Sequence, residues 1–292
     1  MPEQQMIIAT VIFLVTYAII VSEKIHRTVA AFSGAALVLI LKIIDPETAI
    51  HAIDFNTIGL LVGMMIIVGI TRHTGIFEYL AIRAAKGSKG EPFQIIAALS
   101  LITALLSAFL DNVTTVLLIV PVTFAIARQL ELTPLPFLVA EILASNIGGT
   151  ATLIGDPPNI MIGSATTLGF MDFVFNLTPV VVVVYVVTIF IIRLIYRKQL
   201  VTRPELQAGI MKLNEQEAIK DTVLLRKSLI VLSLTVVGFI LHQYVHLESS
   251  VIALAGQPAP LDYQAGSRAP PAGCRVAGNF LLYRSVCGGG RP

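Results

Sequence analysis

A short polar cluster interrupts two strongly apolar arms near the middle of the chain. It contains Asp111, Asn112, Thr114 and Thr115. Asp and Asn are poor residues for a helix interior because their side chains compete for the backbone. A helix break here would free backbone groups, which together with the side-chain oxygens could replace the hydration shell of an ion. We therefore treat all four residues as candidate ion or substrate ligands. The alternative is an ordinary external loop between two spans.

A second polar cluster, residues 144–159, combines glycines and prolines with polar side chains. Pro157 and Pro158 lack amide donors and bias Asp156 away from the helical region, so we expect the helix to break near Gly155. Non-helical backbone at membrane depth is tolerated only where it lines a cavity or is buried in protein. Half-helices that meet at a midplane site are a feature of transporters, whereas a surface turn between two short spans is the alternative. The candidate ligands from this cluster are Asn146, Gly149, Thr150, Gly155, Asp156, Pro157, Pro158 and Asn159.

Glu141 lies on the helix that leads into this second cluster. Glu141 and Ser145 are four residues apart and share a helix face, while Asn146 and Thr150 form a second, adjacent polar pair. A helix with two such rows is expected to face protein rather than lipid. Glu141 is a candidate proton carrier, because an acidic residue inside a membrane usually faces a partner, an ion or a wet cavity. The alternative is a side chain that snorkels to the cytoplasmic interface.

The composition of the whole chain indicates a membrane protein. Of its 292 residues, 55% are hydrophobic and 13% are charged, and its mean hydropathy is +0.84. A soluble domain usually carries about 25% charged residues, so much of this surface must face lipid. The net charge of +2 argues against a nucleic-acid partner. The two cysteines, Cys274 and Cys287, predict neither a disulfide framework nor a thiolate metal site, and no metal ligands are assigned.

Apolar runs of roughly 17–25 residues mark the expected membrane spans. One run, at about 136–166, is too long for a single span and contains the second polar cluster, so we expect it to be interrupted. The runs lie at about 5–22, 28–44, 56–71, 94–110, 113–127, 136–166, 173–192 and 228–243.

The basic residues predict the orientation of the chain. Lys and Arg are concentrated in residues 22–27, 72–91 and 193–227, whereas residues 1–5 and 43–56 contain none. The positive-inside rule therefore places the three basic stretches in the cytoplasm and the N-terminus outside the cytoplasmic membrane.

Two further segments bear on the topology of the chain. Segments 94–110 and 113–127 are either two full spans or one re-entrant hairpin, and charge alone does not separate these arrangements. The polar stretch 201–226, with scattered apolar residues, predicts an amphipathic helix on the cytoplasmic surface.

The composition changes abruptly at about Gly256. Residues 256–292 contain seven Gly and five Pro, and an apolar run that begins at residue 251 is not completed. We therefore divide the chain into a transmembrane domain, 1–255, and a Gly/Pro-rich tail, 256–292. The tail is either disordered or a reading-frame artefact that replaced further transmembrane helices. We favour the artefact, because a span that stops after about five residues serves no purpose in a bilayer.

The two polar clusters carry a family resemblance. The segment 146–159, with Asp111-Asn-Val-Thr-Thr115 upstream, resembles the ion transporter superfamily. It is most similar to the branch of arsenite-efflux and sodium/proton antiporter-like permeases, which are grouped broadly as citrate-transporter-like. Segments 23–27 and 55–64 are also similar to that branch, and the resemblance covers about residues 8–255.

This resemblance implies an all-α, polytopic transmembrane bundle built from two inverted repeats. Each repeat contributes a re-entrant hairpin and a discontinuous helix that meet at midplane; here the hairpin would be 94–127, and this chain would supply the first repeat only. The dicarboxylate branch has Ser-Asn-Thr at the hairpin tip. This chain instead has Asp111-Asn112-Val113-Thr114, which weakens the inference of a dicarboxylate substrate.

The resemblance thus predicts a secondary transporter that moves a small ion (arsenite, Na⁺/H⁺ or an organic anion) across the cytoplasmic membrane. We expect coupling to Na⁺ or H⁺, no other cofactor and no enzymatic activity. The expected partners are the transported ion and the lipid bilayer, with a second copy of the chain as a further candidate. One alternative is a truncated, non-transporting remnant. Another is an intramembrane aspartyl protease, whose Gly-x-Gly-Asp motif is not matched because Leu153 takes the first glycine position.

Overall fold

A computed structural model describes residues 3–166, 168–245 and 247–256, and every regular element in these ranges is helical. The all-α prediction is therefore confirmed. A short 3₁₀ turn, Glu215–Ala218, precedes the twelfth helix. The α-helices in chain order are α1 (Glu3–Val21), α2 (Arg27–Ile40), α3 (Pro46–His51), α4 (Phe55–His73), α5 (Ile76–Gly87), α6 (Pro92–Ser107), α7 (Asn112–Gln129), α8 (Leu135–Gly149), α9 (Pro157–Ala165), α10 (Phe170–Tyr196), α11 (Pro204–Met211), α12 (Thr222–Val245) and α13 (Ser249–Ala255).

The apolar runs of the sequence coincide with the long helices. Among the described residues, five helices are long and apolar enough to cross a membrane: α1, α4, α7, α10 and the 222–241 part of α12. Three shorter apolar helices, α2, α6 and α8, accompany them. The chain is a multi-pass helical membrane protein, as its composition predicted. The tail from residue 257 onward lies outside the described residues.

Helices α6 and α7 form a helical hairpin joined by residues 108–111, an arrangement that both the re-entrant hairpin and the pair of full spans would have. Pro92 opens α6, where a missing amide donor costs nothing. At the tip, the Asp111 carboxylate accepts a hydrogen bond from the Thr114 amide at 2.8 Å and caps the N-terminus of α7. The polar tip is therefore a helix start as well as a turn.

The predicted interruption of the long apolar run is also present. Helix α8 ends at Gly149, α9 begins at Pro157, and residues 150–156 are irregular. The break thus starts at Thr150, earlier than the expected position near Gly155. The reason is local: adjacent glycines at 148 and 149 lower helix propensity by about 1 kcal/mol each relative to Ala, so the helix ends before the prolines are reached.

Two buried clusters hold the described part of the chain together. One packs the hairpin against α5 and α8 through side chains such as Leu99, Ile119 and Phe137. The other packs α4 and the residues around the break against α10, α12 and α13, through side chains such as Leu60 and Phe239. The hairpin tip and the helix break lie where helices of the two clusters meet.

The basic stretch 72–91 contains a helix that the charge pattern concealed. Helix α5 buries Phe77, Ala81 and Ala85, which are spaced four residues apart, against the hairpin. Its basic side chains lie on other faces, so the stretch looks like a polar connection when only charge is counted. Helix α3, within residues 43–56, was not predicted either.

The prediction of one amphipathic helix at 201–226 is wrong. The segment folds as α11 and the 3₁₀ turn, and α12 begins within it, at Thr222. We call residues 201–221 the strap, because they lie along α5 and the base of the hairpin. The Thr202 hydroxyl donates to the Leu130 carbonyl at 2.8 Å, and the Lys220 amide donates to the Thr74 carbonyl at 3.0 Å. Packing against the hairpin base, which sequence periodicity does not report, sets the form of the segment.

Lys86 on α5 fixes the middle of the strap through Glu215, with 2.5 Å between the ammonium and the carboxylate. The hydrogen bond from Lys86 holds the pKa of the Glu215 carboxyl below its ordinary value of 4.5. A lowered pKa means that this contact stabilises the folded strap above about pH 4.5 and is lost as the pH falls through the pKa of the folded form.

We expect the amide-exchange protection of residues 212–221, corrected for intrinsic rates, to fall about two- to fivefold on acidification below pH 4.5. The change is small because solvent screens such pairs. Glu215→Gln is expected to have the lower protection already at neutral pH, whereas Glu205→Gln, an exposed change on the same strap, leaves it unaltered. Equal protection of the wild type and Glu215→Gln at neutral pH would show that the Lys86 contact does not hold the strap.

Candidate functional site

The hairpin tip and the helix break lie in direct contact. The Thr152 hydroxyl, from the break, donates a hydrogen bond to the Ala108 carbonyl at the tip. A Cβ atom on Gly155 would lie 2.7 Å from the Ser107 carbonyl oxygen, so a residue with any side chain would push the two segments apart. The sequence-predicted clusters around Asp111 and Asp156 therefore lie together.

The helices that lead into this contact touch backbone to backbone. A Cβ atom on Gly148 of α8 would overlap the backbone of Ala104 on α6, and one on Gly149 would lie 2.9 Å from the Gly155 carbonyl oxygen. Glycine is required at these positions because the opposing backbone occupies the space that a side chain would need. The predicted site residues Gly149 and Gly155 thus shape the site through their lack of a side chain.

Asn159 organises the irregular backbone of the break. Its side-chain amide donates to the carbonyls of Thr150, at 3.1 Å, and Thr152, at 2.8 Å. The Gly155 amide donates to the Thr152 hydroxyl at 3.2 Å. Both amide hydrogens of Asn159 are therefore used on the protein itself, and the role supported by this geometry is to hold the break open as a loop.

An amide pair bridges the hairpin and the interrupted helix. The Asn112 amide donates to the Asn146 side-chain oxygen at 3.0 Å, and the Asn146 amide donates to the Ile142 carbonyl at 2.8 Å. The Thr150 hydroxyl donates to the Asn146 carbonyl at 2.9 Å. These hydrogen bonds join the two predicted clusters by polar groups as well as by packing.

The two polar rows of α8 differ in exposure. Glu141 and Ser145 are buried, whereas Asn146 and Thr150 are exposed in the described part of the chain. The second row contacts the hairpin through Asn146, but its side chains are otherwise exposed among the described residues. The reason is the Gly148 contact: it turns the Glu141 face of α8 inward and leaves the Asn146 face outside.

Asp111 and Thr115 are bound to their own helix. Besides the cap to the Thr114 amide, the Thr115 hydroxyl donates to the Asp111 carbonyl at 2.9 Å, and Thr115 is fully buried. Asp111 itself is half-buried. A carboxylate at a helix N-terminus is favoured by the partial positive charge there, so Asp111 has a structural role whether or not it contacts an ion.

Asp156 differs from Asp111. Its backbone is extended at the N-cap position of α9, but its side chain makes no capping hydrogen bond, and it is half-buried. Pro157 and Pro158 then occupy the first two helical positions, so α9 begins without amide donors at either of them. The prolines start the helix and leave the carboxylate of Asp156 beside the break.

Glu141 is 1% exposed, and its Oε1 atom lies 2.5 Å from the Thr123 hydroxyl of the hairpin. This burial contradicts the alternative of a side chain that snorkels to the interface. Glu141 is separate from the polar groups at the tip, since its hydrogen-bond partner lies on α7 well past the capped N-terminus.

Ser107 and Thr152 are functional candidates that the sequence analysis did not select. Ser107 is fully buried at the tip, and its hydroxyl has no hydrogen-bond partner among the described residues. Thr152 links the break to the tip. For Thr152 a signal exists in its helical spacing from Glu141, Ser145 and Gly148, the buried face of α8.

Taken together, the hairpin, the interrupted helix and the apolar spans define a multi-pass membrane protein of transporter type. The chain belongs to the citrate transporter family (CitMHS), whose family model matches residues 17–263. The more specific assignment to the arsenite and sodium/proton branch goes beyond this match. Membership of a transporter family also removes the aspartyl-protease alternative.

Relatives of the chain are membrane proteins as well. It is 48% identical over 254 residues to a 46 kDa membrane protein of Mycobacterium leprae. The matched residues make up 86% of this chain and 59% of that protein. An uncharacterized transporter of Mycobacterium tuberculosis is 45% identical over the same coverage. The human P protein is 49% identical over 167 residues, 56% of this chain and 20% of that protein. The chain thus spans 59% of the length of these mycobacterial relatives.

We expect Gly148→Ala to destabilise the chain by about 1–3 kcal/mol, because the added methyl group overlaps the Ala104 backbone. Gly69→Ala on α4 is the matched control. A Cβ atom at Gly69 meets nothing within 4 Å, so this change should be neutral or stabilise by up to about 1 kcal/mol through helix propensity.

The measurement is reversible unfolding of both variants in mixed detergent micelles. Equal stability of the two alanine variants would contradict the close contact of α6 and α8.

Proposed function

We propose that this chain contributes the binding site of a secondary transporter that moves a small ion across the cytoplasmic membrane. The single observation that supports this most directly is the meeting of the hairpin tip with the helix break, bridged by Asn112 and Asn146. Such a meeting places irregular backbone next to polar side chains inside an apolar bundle, an arrangement that proteins tolerate where it lines a cavity.

Four helix ends converge at this point and supply both signs of partial charge. Helices α6 and α8 end there, at Ser107 and Gly149, and present carbonyl groups; α7 and α9 begin there, at Asn112 and Pro157. The N-terminus of a helix carries a partial positive charge and the C-terminus a partial negative charge. An anion beside the helix starts and a cation beside the helix ends would both be stabilised, which suits transport of one ion coupled to another.

The exposed row of α8 supports a water-accessible site. Asn146 and Thr150 are exposed, and Asp156, at the other end of the break from Thr150, is half-buried. Polar groups facing hydrocarbon are costly, so this face must be covered by water, by a bound ion or by further protein. We infer that it lines the transport pathway.

For the substrate, we propose an organic anion of the citrate type, which the description of the family supports. A second candidate, Na⁺/H⁺ exchange, is favoured by Asp111 at the tip, because a carboxylate there suits a cation better than a polycarboxylate. Arsenite efflux is a third candidate, but arsenite is anionic or uncharged, so Asp111 gives it no such support. The coupling ion is Na⁺ or H⁺.

We also propose that the N-terminus lies outside the cell, as the basic stretches suggest. The surface of α1, none of whose residues is buried, then contacts lipid or a second copy of the chain.

Asn146→Ala is expected to reduce [¹⁴C]citrate uptake into vesicles that carry the chain at least about tenfold, since it removes the bridge to Asn112 and a polar group of the pathway. Asn176→Ala removes a similar exposed amide, bonded to a carbonyl on α10, and should transport like the wild type.

Asp111→Asn and Asp156→Asn test the two carboxylates in the same assay. Asn caps a helix about as well as Asp, so loss of transport in Asp111→Asn would report the charge and not the cap. Unchanged uptake in both variants would exclude the assigned site. If the wild type moves neither citrate, arsenite nor Na⁺ under any imposed gradient, the chain is the non-transporting remnant and the proposal fails.

A further inference from the structure

A buried acid–hydroxyl pair lies apart from the hairpin tip. The Thr123 hydroxyl lies 2.5 Å from Oε1 of Glu141 and 3.3 Å from the Ile119 carbonyl oxygen. A hydroxyl has one hydrogen to donate, so Thr123 cannot donate along both contacts. If Glu141 is protonated, its O–H donates to Thr123, and Thr123 donates to Ile119. Both contacts are then hydrogen bonds, whereas an ionised Glu141 leaves one of them without a hydrogen.

The surroundings of Glu141 favour the same protonation state. Its Oε2 atom is buried and has no hydrogen-bond partner among the described residues. If Glu141 were ionised, its negative charge would be buried away from water and one of its two oxygens would lack a hydrogen-bond donor. The free-energy cost of burying that charge is far larger than the cost of burying the neutral acid.

The helices packed against α8 supply no counter-charge to it among the described residues. Helix α6 has no titratable side chain, and α7 has Arg128, which is exposed near its C-terminal end. On α10, Tyr185 donates to the Ala97 carbonyl, and Arg193 lies 4.8 Å from the centre of the Phe93 ring. The remaining groups on α10 are Asp172, whose carboxylate accepts from the Gly169 amide, and Tyr196 at its C-terminal end.

We propose that Glu141 and Thr123 form the coupling-proton site of the transporter, separate from the substrate site at the hairpin tip. This inference rests on the proposed function and names its coupling ion as H⁺. One proton binds to the carboxylate to give the neutral acid of the closed pair, and its release to water regenerates the carboxylate. A proton fits better than a metal cation, because the pair offers a cation only the carboxylate and one hydroxyl oxygen as ligands among the described residues.

The position of Thr123 connects the proton to a change of conformation. Pro121, inside α7, removes one helix hydrogen bond one half-turn before Thr123, and such a site is where a helix bends. The carboxylate form needs water, so release of the proton requires α7 and α8 to separate at this pair. Protonation therefore favours the closed arrangement and deprotonation an open one, which is the differential stability that coupling requires.

Infrared difference spectroscopy of the purified chain in lipid tests the protonation state without transport. We expect a carbonyl-stretch band of a protonated carboxylic acid at neutral pH, absent in Glu141→Gln and shifted in Thr123→Val. Thr123→Ser, which keeps the hydroxyl, and Glu205→Gln, an exposed carboxylate, should leave the band in place. A neutral-pH spectrum without a band that Glu141→Gln removes would overturn the proposal, even if every variant is folded.

Transport by the same proteins separates coupling from binding. Glu141→Gln is expected to lose at least tenfold of the citrate accumulation driven by an imposed proton gradient while keeping citrate–citrate exchange, which needs no net proton movement. Asn146→Ala should lose both activities. Proton-driven accumulation that survives in Glu141→Gln would refute the coupling role. Absence of exchange in the wild type refutes the proposed function, and the infrared band still decides whether Glu141 holds a proton.

Discussion

The close contact of α6 with α8 determines the geometry of everything around it. Because Gly148 has no side chain, the backbones of the two helices meet at Ala104, and this contact fixes which face of α8 is buried. Glu141 then points toward the hairpin, Asn146 points away from α6, and the end of α8 lies against the tip. A methyl group in this contact would therefore disturb the placement of charged and polar groups on several helices at once.

The sequence predicted the parts of the fold that composition and local chemistry control. Apolar length identified the long spans, and the prolines after Asp156 identified an interruption. It did not identify α5, because the basic residues of that stretch obscured an apolar face of only three small or aromatic side chains, and it assigned one helix to the strap. Both errors concern segments whose conformation depends on packing against the hairpin, which no local pattern contains.

The sequence predicted which residues lie at the candidate site more reliably than it predicted what each of them does there. The two polar clusters do lie together, but several of their members act on the protein itself: Asp111 caps a helix, and Asn159 ties the break. A carboxylate or amide in an apolar segment indicates that a polar group is needed at that position. The residue type alone does not show whether that group binds an ion or a backbone group of the protein. Only the hydrogen bonds separate the two, since they show which donors are already used.

The paired prolines at the start of α9 have a consequence for release. An ordinary helix start presents free amide hydrogens that would grip an anion by directed hydrogen bonds. Pro157 and Pro158 remove two of these donors while the partial positive charge of the helix remains. An anion near this end would be attracted without being held at a fixed angle. A transporter must release its substrate in every cycle, and weak binding without directed hydrogen bonds favours release over retention.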